Sequence, residues 1–203
     1  LGRPIVVRIT SPAPLALFAS SPITVSGTVD EPAATVRVNG VLATVSGGTF
    51  NAAGVPLHEG SNILTATATG PAGNVGAGSI TVTLDTTPPT VRIASPADGA
   101  LVTTPQVTVS GMINDIVSGT VNGEQATVAV NGVAATVSNR SFLAPSVPLR
   151  RGPNTLVATA RDRAGNSASH TIRVTLDELA GQRINLVSGN NQTAAIGTML
   201  PNP

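Results

Sequence analysis

The side chains able to do chemistry in this 203-residue chain are few: two histidines and ten acids, with no cysteine. Thiol nucleophiles, disulfides and thiolate-bound metals are therefore excluded. His58 and His170 lack the spacing of a metal-ligand pair, and no Ser/His/Asp set recurs around either. Each reads most simply as a surface residue on a turn or strand. The paired acids Asp30-Glu31 and Asp177-Glu178 are direct neighbours. In a strand they would point to opposite faces, so they do not form a general acid/base pair. No catalytic, cofactor-binding or metal-binding residue is assigned on this basis, and an enzyme is not expected.

Recurring asparagines and phenylalanines are the other candidates, and they expose a repeat. The chain reads VRVNGVLATV from residue 36 region onwards and VAVNGVAATV some ninety positions later, so Asn39-Gly40 returns as Asn131-Gly132. Phe50 returns as Phe142, Pro56-Leu57 as Pro148-Leu149 and Asp85 as Asp177, all at an offset of 92. Earlier pairs, such as Ser11-Pro12 with Ser95-Pro96 and Ser26-Gly27 with Ser110-Gly111, are offset by 84. Residues 5–85 and 91–177 are thus two copies of one unit, the second with eight extra residues between Gly111 and Asn131. That insertion sits at a loop or lengthens a hairpin, and its span 115–125 is the candidate specificity loop. Asn-Gly tolerates positive φ at both central positions, which a type I′ hairpin turn requires, so the recurrence reads as architecture before ligand contact. Phe50 and Phe142 hold the same repeat position and read as core. Phe18, whose counterpart is Val102, reads as packing at a module edge.

The elements that carry these residues are strands. In ITVSGTV the apolar Ile23, Val25 and Val29 alternate with Thr24, Ser26 and Thr28; Leu64, Ala66 and Ala68, then Ile80, Val82 and Leu84, follow the same rule. Period two means one buried and one solvated face. About seven such strands per copy, with turn signals between, describe a β-sandwich. Composition agrees: 21 Gly and 16 Pro supply turns, and three Phe with no Trp or Tyr leave the core to β-branched and small side chains. Charged residues are 10% of the chain and the net charge is +1. All eleven basic residues are Arg, and no basic block or aromatic interleaving points to nucleic acid. The absence of Lys rules out the Lys–Asn crosslink of some bacterial surface domains. No apolar stretch reaches the ~18 residues of a membrane span. The Leu1 start and the LPNP end read as those of a piece of something longer.

The shared residues resemble a known family. The Ser-Pro opening, the Val-Asn-Gly turn, a Phe, Val-Pro-Leu, Gly-x-Asn and the Ala-Gly-Asn turn are similar to bacterial Ig-like modules of the glucodextranase B-domain type, and both copies carry all of them across residues 5–177. The tail, with SGNNQ and LPNP, resembles the start of an invasin/intimin-type Ig-like domain. The resemblance implies an all-β chain of tandem immunoglobulin-like β-sandwiches: 1–85 as the first module, 86–177 as the second, and 178–203 as a linker with the opening of a further one. The short Pro-rich linker DTTPPT suits a semi-rigid rod. The resemblance further implies modules of larger secreted or surface proteins. The second copy keeps the usual Asp of that family's AxDxAGN-like turn as Asp162, where the first has Gly70.

The functional expectation is a non-catalytic spacer or assembly segment of an extracellular or cell-surface bacterial protein, such as a stalk, adhesin or filament. The alternative is an accessory domain that binds a glycan or host protein. Its partners would be other modules of the parent chain, or identical chains joined by strand addition. No cofactor is expected. Calcium is weighed at Asp85, Asp98, Asp115, Asp162 and Asp177, which lie at turns or module ends. No DxDxDG-type run exists to gather the roughly six to eight oxygens that ion takes. Asn139-Arg-Ser141 and Asn191-Gln-Thr193 match the N-glycosylation pattern, which carries little weight in a bacterial protein.

Overall fold

The structure, a computed structural model, describes residues 3–115 and 126–180. The candidate specificity loop beyond Asp115, the second glycosylation pattern and all but the first three residues of the tail 178–203 lie outside the described residues. The described chain is all β and falls into two compact units. The first comprises residues up to Pro89, together with Asp115 and Arg161–Ser167.

The first unit contains β1 (Val7–Ser11), β2 (Leu17–Phe18), β3 (Ile23–Val29), β4 (Thr35–Val38), β5 (Val41–Leu42), β6 (Thr44–Ser46), β7 (Thr49–Val55), β8 (Gly60–Thr69) and β9 (Val75–Leu84). One sheet has the order β1-β3-β7-β6 and the other β2-β9-β8-β4-β5. Their inner faces meet in a core of Val, Leu, Ile and Ala around Phe50. The strands obey the alternation of their sequence: along β3, Ile23, Val25, Gly27 and Val29 are buried while Thr24 and Thr28 are exposed.

The plan is repeated by β10 (Thr90–Ser95), β11 (Ala100–Val102), β12 (Gln106–Asn114), β13 (Ala126–Val130), β14 (Val133–Ser138), β15 (Ser141–Pro148), β16 (Gly152–Asp162) and β17 (Ser167–Leu176), which make up the second unit apart from the last two residues of β16 and the first of β17. Here a single strand order, β10-β12-β15-β14-β13-β16-β17-β11, runs through both faces. The reason is local. The first half of β14 pairs with β13 and its second half with β15, so one strand turns the corner between sheets. In the first copy that corner breaks at the buried Ala43, which separates β5 from β6.

Phe50 and Phe142 are each buried and lie opposite a glycine on the neighbouring strand, Gly27 and Gly111. A Cβ on Gly27 would stand 2.5 Å from Cε1 of Phe50 and would strike the Arg8 carbonyl oxygen; one on Gly111 would stand 2.5 Å from Cε1 of Phe142 and strike that of Arg92. The glycines are there because the rings occupy their side-chain space. A second contrast concerns the β6–β7 and β14–β15 turns. Gly47-Gly48 adopt φ of 56° and 77°, and the second copy places Asn139 and Arg140 there at 47° and 62°. Arg140 thus bears a left-handed conformation that suits glycine.

Two outcomes follow. Gly111→Ala should lower the unfolding free energy by about 1–3 kcal/mol, as overpacking against backbone and ring demands. Arg140→Gly should stabilise by up to about 1 kcal/mol, since relief of the left-handed strain exceeds the added freedom of the unfolded chain. Urea unfolding of the purified chain reads both.

Candidate functional site

The recurring asparagines do more than turn the chain. Asn39 and Gly40 have φ of 47° and 88°, and Asn131 and Gly132 48° and 85°, the signs a type I′ turn needs. Each Asn side chain then reaches a strand of the same unit. Asn39 Nδ2 donates to the Ile63 carbonyl at 3.0 Å, while the Thr65 amide donates to Asn39 Oδ1 at 2.8 Å. Asn131 does the same with the Thr155 carbonyl at 2.8 Å and the Val157 amide at 2.9 Å. The carboxamide imitates one more residue of backbone pairing at the end of the strand.

The Gly-x-Asn residues act similarly. Asn62 Nδ2 donates to the carbonyls of His58 and Gly60 and its Oδ1 accepts from the His58 amide. Asn154 holds Arg150 and Gly152 in the same way. In the Ala-Gly-Asn turns, Asn74 Nδ2 donates to the Arg3 carbonyl and Asn166 Nδ2 to the Asp85 carbonyl. Sequence reading identified the turns and missed the clamps. The signal available was the choice of Asn over Asp or Gly at three recurring positions, since of these three side chains the carboxamide alone both donates and accepts.

The remaining candidates disperse. His58 is exposed, and its backbone is what Asn62 holds. His170 is half-buried on β17, where its Nδ1 accepts from the Ile93 amide at 3.3 Å, so it is part of the fabric of the sheet. Phe18 is half-buried against the core, and its carbonyl accepts from the Asp85 amide. Asp30 forms an ion pair with Arg3 and accepts from the Val6 amide at 2.8 Å. That amide, with the Arg3 guanidinium, holds its carboxyl below the ordinary range. Asp98 accepts from the Arg173 amide at 2.7 Å and Asp177 from the Leu179 amide at 3.1 Å.

Three acids converge. Asp85, Asp115 and Asp162 are 5%, 3% and 7% exposed, and one carboxylate oxygen from each lies within 4.8 Å of the others. All three belong to the first compact unit. Asp85 follows β9, Asp115 follows β12, and Asp162 ends β16. Asp85 Oδ1 accepts from the Thr87 amide at 3.1 Å. Asp162 Oδ1 accepts from the amides of Gly165 and Asn166, and its Oδ2 from Asn166 Nδ2. Burial pushes the Asp85 carboxyl above the ordinary range; the charges of Asp162, Asp115 and Glu59 push the same way, and the Thr87 amide pulls back. Of the five acids weighed from sequence for calcium, the fold gathers these three and leaves Asp98 and Asp177 outside the cluster.

The family model described as glucodextranase, domain B matches twice, over residues 6–86 and 89–178. Bacillopeptidase F of Bacillus subtilis (strain 168) is 32% identical over 208 residues, covering 95% of this chain and 14% of that protein. The chain therefore spans a small part of that relative's length. Among solved structures, fibronectin(III)-like modules of Clostridium thermocellum CbhA match with a TM-score of 0.53 at 13% identity, over 89% of this chain and 99% of that one. That likeness is one of fold. A tetra-tandem repeat from the extending region of a large adhesion protein is 24% identical over 86% of this chain and 49% of that one, with a TM-score of 0.36.

The clamp and the turn are separable by mutation. Asn131→Gly keeps the positive φ and removes the carboxamide. It should cost about 1–2 kcal/mol for the two hydrogen bonds lost. A Gly variant as stable as the parent in urea unfolding would leave only the turn.

Proposed function

Because the chain belongs to the glucodextranase domain B family, whose model its tandem modules match over residues 6–86 and 89–178, we propose that it is a non-catalytic spacer within a longer extracellular or cell-surface bacterial protein. One observation carries this reading: the residues repeated between the copies are consumed by the scaffold. The asparagines complete strand pairing, and the phenylalanines fill the core against their glycines. A chain selected for a shared ligand would repeat a side chain that the fold does not use.

The share of Bacillopeptidase F that the chain covers, 14%, supports a place among other modules of a longer polypeptide. The peptidase chemistry in that relative's name is not assigned to these modules. Among the described residues, neither His58 nor His170 belongs to the cluster of three acids.

Accessory binding is the second reading, and one surface favours it. On the outward face of β12 and β15, Met112 is 64% and Leu143 48% exposed. The first copy has Thr28 and Asn51 at these repeat positions.

Replacing both modules in the parent polypeptide by two unrelated β-sandwich modules of equal length distinguishes the readings. A spacer survives the exchange with the parent's activity and surface display intact. Loss of activity or attachment would refute the spacer reading. If the same loss followed from Met112→Thr with Leu143→Asn alone, it would establish binding through that face.

A further inference from the structure

We propose that Asp85, Asp115 and Asp162 form a binding site for a divalent cation of the hard, oxygen-preferring class, with calcium as the ion that fits. The inference stands apart from the spacer reading and would hold if these modules bound a partner instead.

Buried carboxylates are stable when hydrogen-bonded, paired with a cation or bound to a metal. Here three of them, each more than nine-tenths buried, bring oxygens within 4.8 Å of one another. The second observation is an orphaned atom. Among the described residues, the Asp85 side chain accepts at Oδ1, from Thr87, and no donor reaches Oδ2 of this 5% exposed residue. A buried carboxylate oxygen without a donor among the described residues, on a member of a cluster of three carboxylates, is suited to a cation.

The cluster is also held in place. Three donors fix Asp162, and the Asn166 side chain that supplies one of them also donates to the Asp85 carbonyl at 2.6 Å, tying two of the three ligands together. Such outer contacts orient metal ligands. The donor set is oxygen alone, with neither His nor Cys, which selects calcium or magnesium over zinc or copper. Carboxylates from three separate segments supply part of the six to eight oxygens that calcium takes, water the rest. Magnesium demands a stricter octahedron. The first copy lacks the equivalent set, since Gly70 replaces Asp162.

The test uses the purified chain freed of metal with EDTA. Calcium at millimolar concentration, the range of extracellular modules, should raise the melting temperature by about 5 °C or more and magnesium by less. Isothermal titration should show saturable binding. Asp85→Asn, which retains the oxygen facing Thr87, should abolish the shift, and Asp177→Asn should preserve it. Should Asp85→Asn fail to fold, the wild-type chain still decides. Calcium must move the amide resonances of Thr87, Gly165 and Asn166 in saturable fashion. An unchanged melting temperature with no heat of binding would overturn the proposal. So would resonance shifts confined to exposed acids such as Asp98.

Discussion

Each copy of the repeat is organised around a phenylalanine and the glycine that makes room for it. The chain has three Phe and no Trp or Tyr, so few side chains are large enough to fix the distance between two sheets. Phe50 and Phe142 are buried where Gly27 and Gly111 pair with them across the strands. Valine, alanine, isoleucine and leucine fill the remaining space, and the ring has one slot. That slot fixes strand register, and a slip of one residue would turn every apolar side chain of the strand toward water. The β-branched alternation, the corner strands and the turns all follow from a register already set.

A small sandwich must also satisfy its backbone where strands stop. Asn39, Asn62 and Asn74, with their counterparts Asn131, Asn154 and Asn166, each place a carboxamide against backbone groups that no strand reaches. These residues are the most conspicuous in the sequence because they recur, and they recur because both copies have the same strand ends to complete. Repetition here marks structure.

The places where the copies differ carry more information. Asp162 stands where the first copy has Gly70, and Met112 and Leu143 stand where it has Thr28 and Asn51. The first difference completes a buried group of three carboxylates. The second exposes apolar surface on an otherwise hydroxyl-rich face. Neither is needed to make a sandwich, since the first copy forms one without them.

Sequence alone determined the strands, the Asn-Gly turns and the duplication, because alternation and positive φ are imposed within a few residues. The burial of Phe50 and Phe142 was legible too, from an aromatic at the same place in each copy. The tertiary structure decided what lies opposite. Which carbonyl Asn39 meets depends on a strand 24 residues away, and His170 joins the sheet through an amide 77 residues distant. Five aspartates at turns looked alike in sequence, and only the fold separated Asp85, Asp115 and Asp162 from the rest. Short-range sterics write themselves into local sequence, whereas the convergence of charges depends on the register and connection of distant strands.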